Sequence, residues 1–264
     1  MNTSSPQAGF TVEPLPEGAI FRIERPDKLN ALTKPVLLGL AACIDDLEAR
    51  GQRLLIVTGA GERAFCAGTD LAELRGLDSD ARLTKTAMAR GLLVRLSRSE
   101  LVSDAAINGL AFGGGLELAM ACTLRIATRQ ATMSLPEVKL GLLPAYAGTQ
   151  FLPALVGKAR ALEIMMTGRT LGAEEALSIG LIHRIADPGS LLLDQALGFG
   201  REVVRWSPGA LSWIRRCVDA AGAQVSDAGL AVEDAAVRDT FDSPDAREGV
   251  AAFLEKREPR FGQR

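Results

Sequence analysis

The chain has 264 residues, 47% of them hydrophobic and 23% charged, with a formal net charge of -2. Those proportions suit an ordinary soluble globular protein, exclude a disordered or fibrous one, and leave no electrostatic case for nucleic acid as the main partner. The length allows one large core with a helical appendage more readily than two full domains.

The opening residues, MNTSSPQAGF, have neither a basic start followed by an apolar core nor the arginines of an organellar transit peptide. No apolar run approaches the roughly 20 residues that cross a bilayer. Cys43, Cys66, Cys122 and Cys217 are widely spaced with no C-x-x-C pair, so neither a metal site nor a disulfide framework is indicated. A soluble protein of a reducing cytoplasm is expected.

In chain order, Gly18 to Ile23 predicts a strand, and Arg25-Pro26-Asp27-Lys28 a turn, since proline cannot continue a ladder. Pro35 to Arg50 predicts a helix, with Val36, Leu40, Ile44 and Leu47 at helical spacing and Gly51 as the stop. Leu54 to Thr58 is a short buried strand. A helical pattern begins at Leu71, and a second amphipathic stretch runs from about Thr84 to Arg98. Ala105 to Ile107 predicts a strand, Gly115 to Cys122 a small-residue helix and Leu124 to Thr128 another strand, on which Thr132 to Leu135 could pair back. This alternation argues for an α/β class. Beyond Pro153, helical segments dominate near Ala159 to Met166, Ala173 to Ile179, Ser190 to Arg205, Pro208 to Ala220 and Pro244 to Lys256. A core of residues 1–200 and a helical region of residues 201–264 are expected.

Several chemistries lose support at once. The only histidine, His183, sits in the apolar context Gly-Leu-Ile-His-Arg-Ile, where a structural role is expected. No G-x-S-x-G, Walker or H-E-x-x-H pattern is present. More informative is Ala106 to Cys122, in which Gly113-Gly114-Gly115 precedes a helix and leaves its first amides uncovered. Such a terminus stabilises an oxygen gaining negative charge. Glu117 follows Gly114 by about one helical turn, so a base and an oxyanion donor can share one face. The alternative is that the glycines serve helix packing and Glu117 is a first-turn acid. A second small-residue loop, Gly59 to Leu74, offers another amide, or else a plain turn with Asp70 capping a helix.

Phe65-Cys-Ala-Gly-Thr-Asp-Leu71 resembles the crotonase signature F-C-A-G-A-D-L, and Ile107 to Cys122 resembles that superfamily's second signature. ERPDKLNAL, LPEVKLGLLP and EGVAAFLEKREPRF extend the resemblance over almost the whole chain. It implies a spiral of ββα units with a helical C-terminal region that assembles a homotrimer, or a hexamer built as a dimer of trimers. It implies an oxyanion hole from the amides of Thr69 and Gly114, and catalytic carboxylates at Glu117 and Glu137. An acyl-CoA substrate is implied, with no separate cofactor and no metal. Lys28, Ala67, Gly68, Asp70 and Leu71 would receive the coenzyme, with Phe253 and Lys256 contributed from a neighbouring subunit. With both glutamates present, the activity implied is enoyl-CoA hydration; isomerisation, decarboxylation and a non-catalytic CoA- or RNA-binding role are the alternatives.

The chain also departs from the crotonase pattern. The usual P-G-A-G-G-T-Q is here Pro144-Ala-Tyr-Ala-Gly-Thr-Gln150, which puts Ala145, Tyr146 and Ala147 at the expected border of the acyl site. Tyr146 either offers its O-H to substrate or packs outward. Ser103 and Asp104 stand where apolar strand residues are usual, Thr69 replaces an alanine and Thr123 an aspartate. A buried Asp104 needs a partner.

Overall fold

The computed structural model describes residues 9–221, 227–241 and 243–262. They form two compact units, one up to Gly200 and one from Arg201 onward.

In the first unit, strands β1 (Phe10–Leu15) and β2 (Gly18–Ile23) form an antiparallel hairpin. Helix α1 (Lys34–Ala49) buries Val36, Leu37, Leu40, Cys43, Ile44 and Leu47, so the predicted helical stripe is the packed face. Then come β3 (Leu54–Gly59), β4 (Ala64–Cys66), α2 (Leu71–Arg75) and α3 (Ser79–Arg98). The next turn contains β5 (Val102–Ile107), β6 (Leu110–Phe112) and α4 (Gly114–Ala121). It is followed by β7 (Leu124–Ala127), β8 (Thr132–Ser134), α5 (Gly148–Val156), α6 (Lys158–Thr167), β9 (Thr170–Gly172), α7 (Ala173–Ser178), β10 (Arg184–Ile185) and α8 (Leu192–Val204).

The strands sort into a six-stranded sheet, β1-β2-β3-β5-β7-β10, and a four-stranded sheet, β4-β6-β8-β9. In each of the pairs β3/β4, β5/β6 and β7/β8, the first strand enters the larger sheet and the second the smaller. A helix then returns the chain. This is the ββα spiral, and β4, β6 and β8 lie parallel and adjacent in it. Their carboxyl ends therefore open on the same edge, where ligands of parallel sheets characteristically bind.

Several expectations need correction. Thr132 to Leu135 does not pair back on β7; β8 lies between β6 and β9 in the other sheet. Helix α3 starts at Ser79, where the Asp78 carboxylate accepts the Ala81 amide at 2.8 Å, rather than at Thr84. Strand β1 escapes the sequence pattern because it is an edge strand, the one place where its Pro14 costs no ladder bond. Helix α5 carries Pro153 and is likewise invisible to propensity.

The second unit consists of α9 (Pro208–Ala220), α10 (Asp227–Phe241) and α11 (Pro244–Glu255), with α9 packed on α10. The Ser207 hydroxyl caps α9 by accepting the Ala210 amide. Trp213 donates its indole N-H to Asp239, and Arg257 pairs with Glu248 at 2.6 Å. Helix α10 was not anticipated. Among the described residues, no helix is long and apolar enough to cross a membrane.

Candidate active site

Three loops leave the carboxyl ends of β4, β6 and β8, and each delivers one part of the site. After β4, Gly68 adopts φ +94° with Phe112 O only 2.8 Å from where a Cβ would sit, so only glycine allows this approach to β6. The turn presents Thr69. A side-chain lattice secures it: Arg25 donates to Ala31 O at 2.6 Å and to Asp70 Oδ2 at 2.8 Å. Asp70 Oδ1 accepts the amides of Ala72 and Glu73, capping α2. Buried Asn30 spans the same region, donating to Ala60 O and Ala64 O.

After β6, Gly113 at φ +52° turns the chain into α4, whose first residue is Gly114. Among the described residues, the amides of Thr69 and Gly114 have no hydrogen-bond acceptor. They are also close: the position a Cβ would take on Gly114 lies 3.5 Å from Thr69 N. Two such donors, one of them the first amide of a helix, can bond an oxygen that carries negative charge.

One turn further into α4, Glu117 is 1% exposed, and its Oε1 accepts the amides of Tyr146 and Gly148, each at 2.7 Å. Burial raises its pKa to about 7; the Gly148 amide opposes this, the charge of Glu137 adds to it, and the Tyr146 amide opposes it again. After β8, Pro136 leads into a 3-10 turn that begins at Glu137. Glu137 Oε1 lies 2.9 Å from where a Cβ on Gly113 would sit, so its carboxylate rests against the start of α4. Its Oε2 is buried and has no hydrogen-bond partner among the described residues. Burial raises the Glu137 pKa as well.

The site thus holds two carboxyl groups of different character beside two free amides. One oxygen of Glu117 has two amide donors, whereas the buried oxygen of Glu137 has none, and burial raises both carboxyl groups above the usual carboxylate range.

Residues 18–264 match the family described as Enoyl-CoA hydratase/isomerase. The chain belongs to that family. It is 35% identical over 240 residues to the short-chain-enoyl-CoA hydratase of Clostridium acetobutylicum, covering 90% of this chain and 92% of that one. The crystal structure of an enoyl-CoA hydratase from Bacillus anthracis superposes with a TM-score of 0.89 at 34% identity, covering 96% of this chain and 98% of that one. The solved structure of Pseudomonas aeruginosa DspI gives a TM-score of 0.90 at 38% identity, with 98% and 99% covered. The crotonase-like fold expected from the signatures is the fold observed.

The family's characteristic loop differs here in a way the structure explains. Tyr146 does not pack outward: it is 4% exposed, and its phenolic oxygen accepts a hydrogen bond from Thr69 Oγ1 at 2.7 Å. Two ring carbons lie 3.0 Å from the Cβ position of Gly114. Two departures from the pattern, Thr69 and Tyr146, are therefore one contact. The same holds for Ser103 and Thr123, where Ser103 Oγ accepts the Thr123 amide at 3.0 Å and the two hydroxyls lie 3.4 Å apart.

Asp104 finds no equivalent partner. It is fully buried in β5, and neither carboxylate oxygen has a hydrogen-bond partner among the described residues. Burial raises its pKa to about 7, opposed by the charges of Arg125 and Arg184 and by the nearby backbone amide of Ile126. Arg125 is committed elsewhere, donating to Leu181 O and Cys122 O. His183 is exposed over much of its surface, but its Nδ1 accepts the Arg125 amide, and partial desolvation of the ring with the nearby Arg125 charge lowers its pKa to about 4. It is a neutral structural group.

Of the residues expected to receive the coenzyme, Gly68 is buried and Ala67 half-buried in the β4 loop. Lys28 and Leu71 are exposed, and Asp70 spends its carboxylate on Arg25 and the α2 cap. Lys256 is exposed in the second unit at φ +54°; the side chain of Phe253 lies outside the described residues. Sequence reasoning missed the parts that Gly148 and Arg25 play in the site. A Cβ on Gly148 would fall 2.8 Å from Glu117 Oε1, and the A-G-T step after Tyr146 was its visible trace. Among the described residues, no cluster of His, Cys, Asp and Glu could hold a metal ion.

Proposed function

We propose that the protein is an enoyl-CoA hydratase. The observation that carries this reading is the asymmetry of the glutamate pair: Oε1 of Glu117 accepts two amides, while Oε2 of Glu137 is buried without a partner. Hydration needs one group that removes a proton from water and one that supplies a proton to carbon. Ionised Glu117 activates water for attack at Cβ, and protonated Glu137 delivers its proton to Cα. The amides of Thr69 and Gly114 hold the thioester oxygen as it gains enolate character, each such donor being worth about 10²- to 10³-fold in rate. Coenzyme A enters as part of the substrate, and no separate cofactor takes part in any step.

Lys28 and the backbone of Ala67 and Gly68 receive the coenzyme in this reading, with Lys256 and Phe253 supplied by a neighbouring subunit of a homotrimer or dimer of trimers. Four free cysteines fit a reducing compartment such as the cytoplasm.

The test is hydration of crotonyl-CoA by the purified chain, alongside Glu117→Gln and Glu137→Gln. Each substitution is expected to cost about 10²- to 10⁴-fold in kcat. Full activity in either variant removes that residue from the mechanism, and shifting of a 3-enoyl double bond without hydration replaces the reading with isomerisation.

A further inference from the structure

The Tyr146 ring spans the two residues whose amides form the proposed oxyanion site. Its edge lies over Gly114, with Cδ2 and Cε2 each 3.0 Å from the Cβ position, and its oxygen is tied to the Thr69 hydroxyl at 2.7 Å. Its own backbone amide is bonded to Glu117 Oε1, and the next glycine, Gly148, holds the same oxygen. The ring is thereby anchored at three points: by its backbone on Glu117, by its edge on α4, and by its hydroxyl on the β4 loop. Burial raises the phenol pKa, so the ring stays neutral.

A thioester oxygen between Thr69 N and Gly114 N places Cα and Cβ toward the two glutamates. Because the Tyr146 amide is bonded to Glu117, the carboxylate that faces Cβ in this reading, an acyl chain that continues beyond Cβ runs toward that loop. The usual small side chain at this position leaves that space open, whereas a pinned phenol fills it.

We propose that Tyr146, latched by Thr69, is the specificity-determining residue that restricts this enzyme to short-chain acyl-CoA substrates. The proposal rests on the acyl-CoA reading above and deepens it. Aromatic bulk does the excluding, and the Thr69 hydroxyl keeps the ring from turning aside. Thr69 thus acts through its amide on the oxygen and through its hydroxyl on chain length.

The decisive comparison is between butyryl-CoA and decanoyl-CoA, whose binding is measured by calorimetry and needs no turnover, together with kcat/KM for crotonyl-CoA and 2-decenoyl-CoA. The wild-type protein is expected to favour the short chain in both measurements. Tyr146→Ala should shift each ratio toward the long chain by ~10-fold or more, the scale on which apolar pockets discriminate size. Tyr146→Phe keeps the ring but loses the latch and gives an intermediate shift. Thr69→Val retains the amide, frees the ring and gives an intermediate shift. Unchanged ratios in Tyr146→Ala, a wild-type preference for the long chain, or failure to bind either acyl-CoA overturn the proposal. Short-chain selectivity in binding without turnover of any enoyl-CoA leaves it standing and sinks the hydratase reading; hydration of crotonyl-CoA with unchanged ratios in Tyr146→Ala does the reverse.

Discussion

The Gly148 amide donates to Oε1 of Glu117 at 2.7 Å, and a Cβ added to Gly148 would fall 2.8 Å from that same oxygen. The bond and the space have one cause, the close approach of the loop backbone to the carboxylate. Gly148→Ala therefore pushes Glu117 off its position without touching the carboxyl group itself. Misplacement on the scale of an ångström costs roughly 10²-fold in rate. Steady-state kinetics should show kcat falling by about that factor, and a variant with normal kcat would mean that Glu117 tolerates displacement.

The two glutamates should give a bell-shaped pH profile. Glu117, with a pKa of about 7, must be ionised, so kcat/KM falls as pH drops through that value. Glu137 must be protonated, and burial moves its pKa upward, so activity also falls as pH rises through that group's own pKa. Glu137→Gln should keep the acid limb at reduced rate and lose the alkaline one. A profile flat from pH 5 to 9 would contradict both assignments.

Asp104 carries a stability cost with a definite pH dependence. Its folded pKa, about 7, lies above the unfolded value of 3.8, so between these values the folded state binds more protons and stability falls as pH rises. The cost is complete above pH 7 and on the order of 4 kcal/mol, taking ~1.4 kcal/mol per unit. Asp104→Asn is expected to raise Tm at pH 8 and to flatten the dependence of Tm on pH between 4 and 7. A lowered Tm at pH 8 would show that the carboxylate is stabilising.

Ala147 sits at φ +83°, where a Cβ is disfavoured by about 1 kcal/mol. Ala147→Gly relieves this and loses part of the gain to the freer unfolded chain. Denaturant unfolding should show a stabilisation of a few tenths to ~1 kcal/mol. Destabilisation would mean that the buried methyl packs better than the backbone suffers.

The Arg25–Asp70 pair, 2.8 Å apart and mostly buried, ties the turn after β2 to the loop that presents Thr69. It lowers the Asp70 pKa, and the α2 cap amides add to that. Arg25→Met should loosen the loop, raising KM for an acyl-CoA more than it lowers kcat. Equal changes in both would place its effect on the transition state instead.

Local chemistry written in the chain was sufficient for much of this. The glycine triplet ahead of an apolar helix marks an exposed helix N-terminus wherever the rest of the chain goes, and the spacing from Gly114 to Glu117 puts both on one face by helical geometry alone. The stripe on α1 and the apolar run of β3 were legible for the same reason: their periodicity is a property of consecutive residues. Strands β4, β6 and β8 were not legible as a sheet, because three-residue strands carry no period and are held by neighbours far away in sequence. Yet their parallel alignment brings Thr69, Gly114 and Glu137 to one edge. The direction of Tyr146 was equally undecided, since an aromatic in a loop can face inward or out until a partner is present. Only the folded chain brings Thr69 within 2.7 Å of its hydroxyl, and with that contact a side chain that sequence left ambiguous becomes a wall of the site.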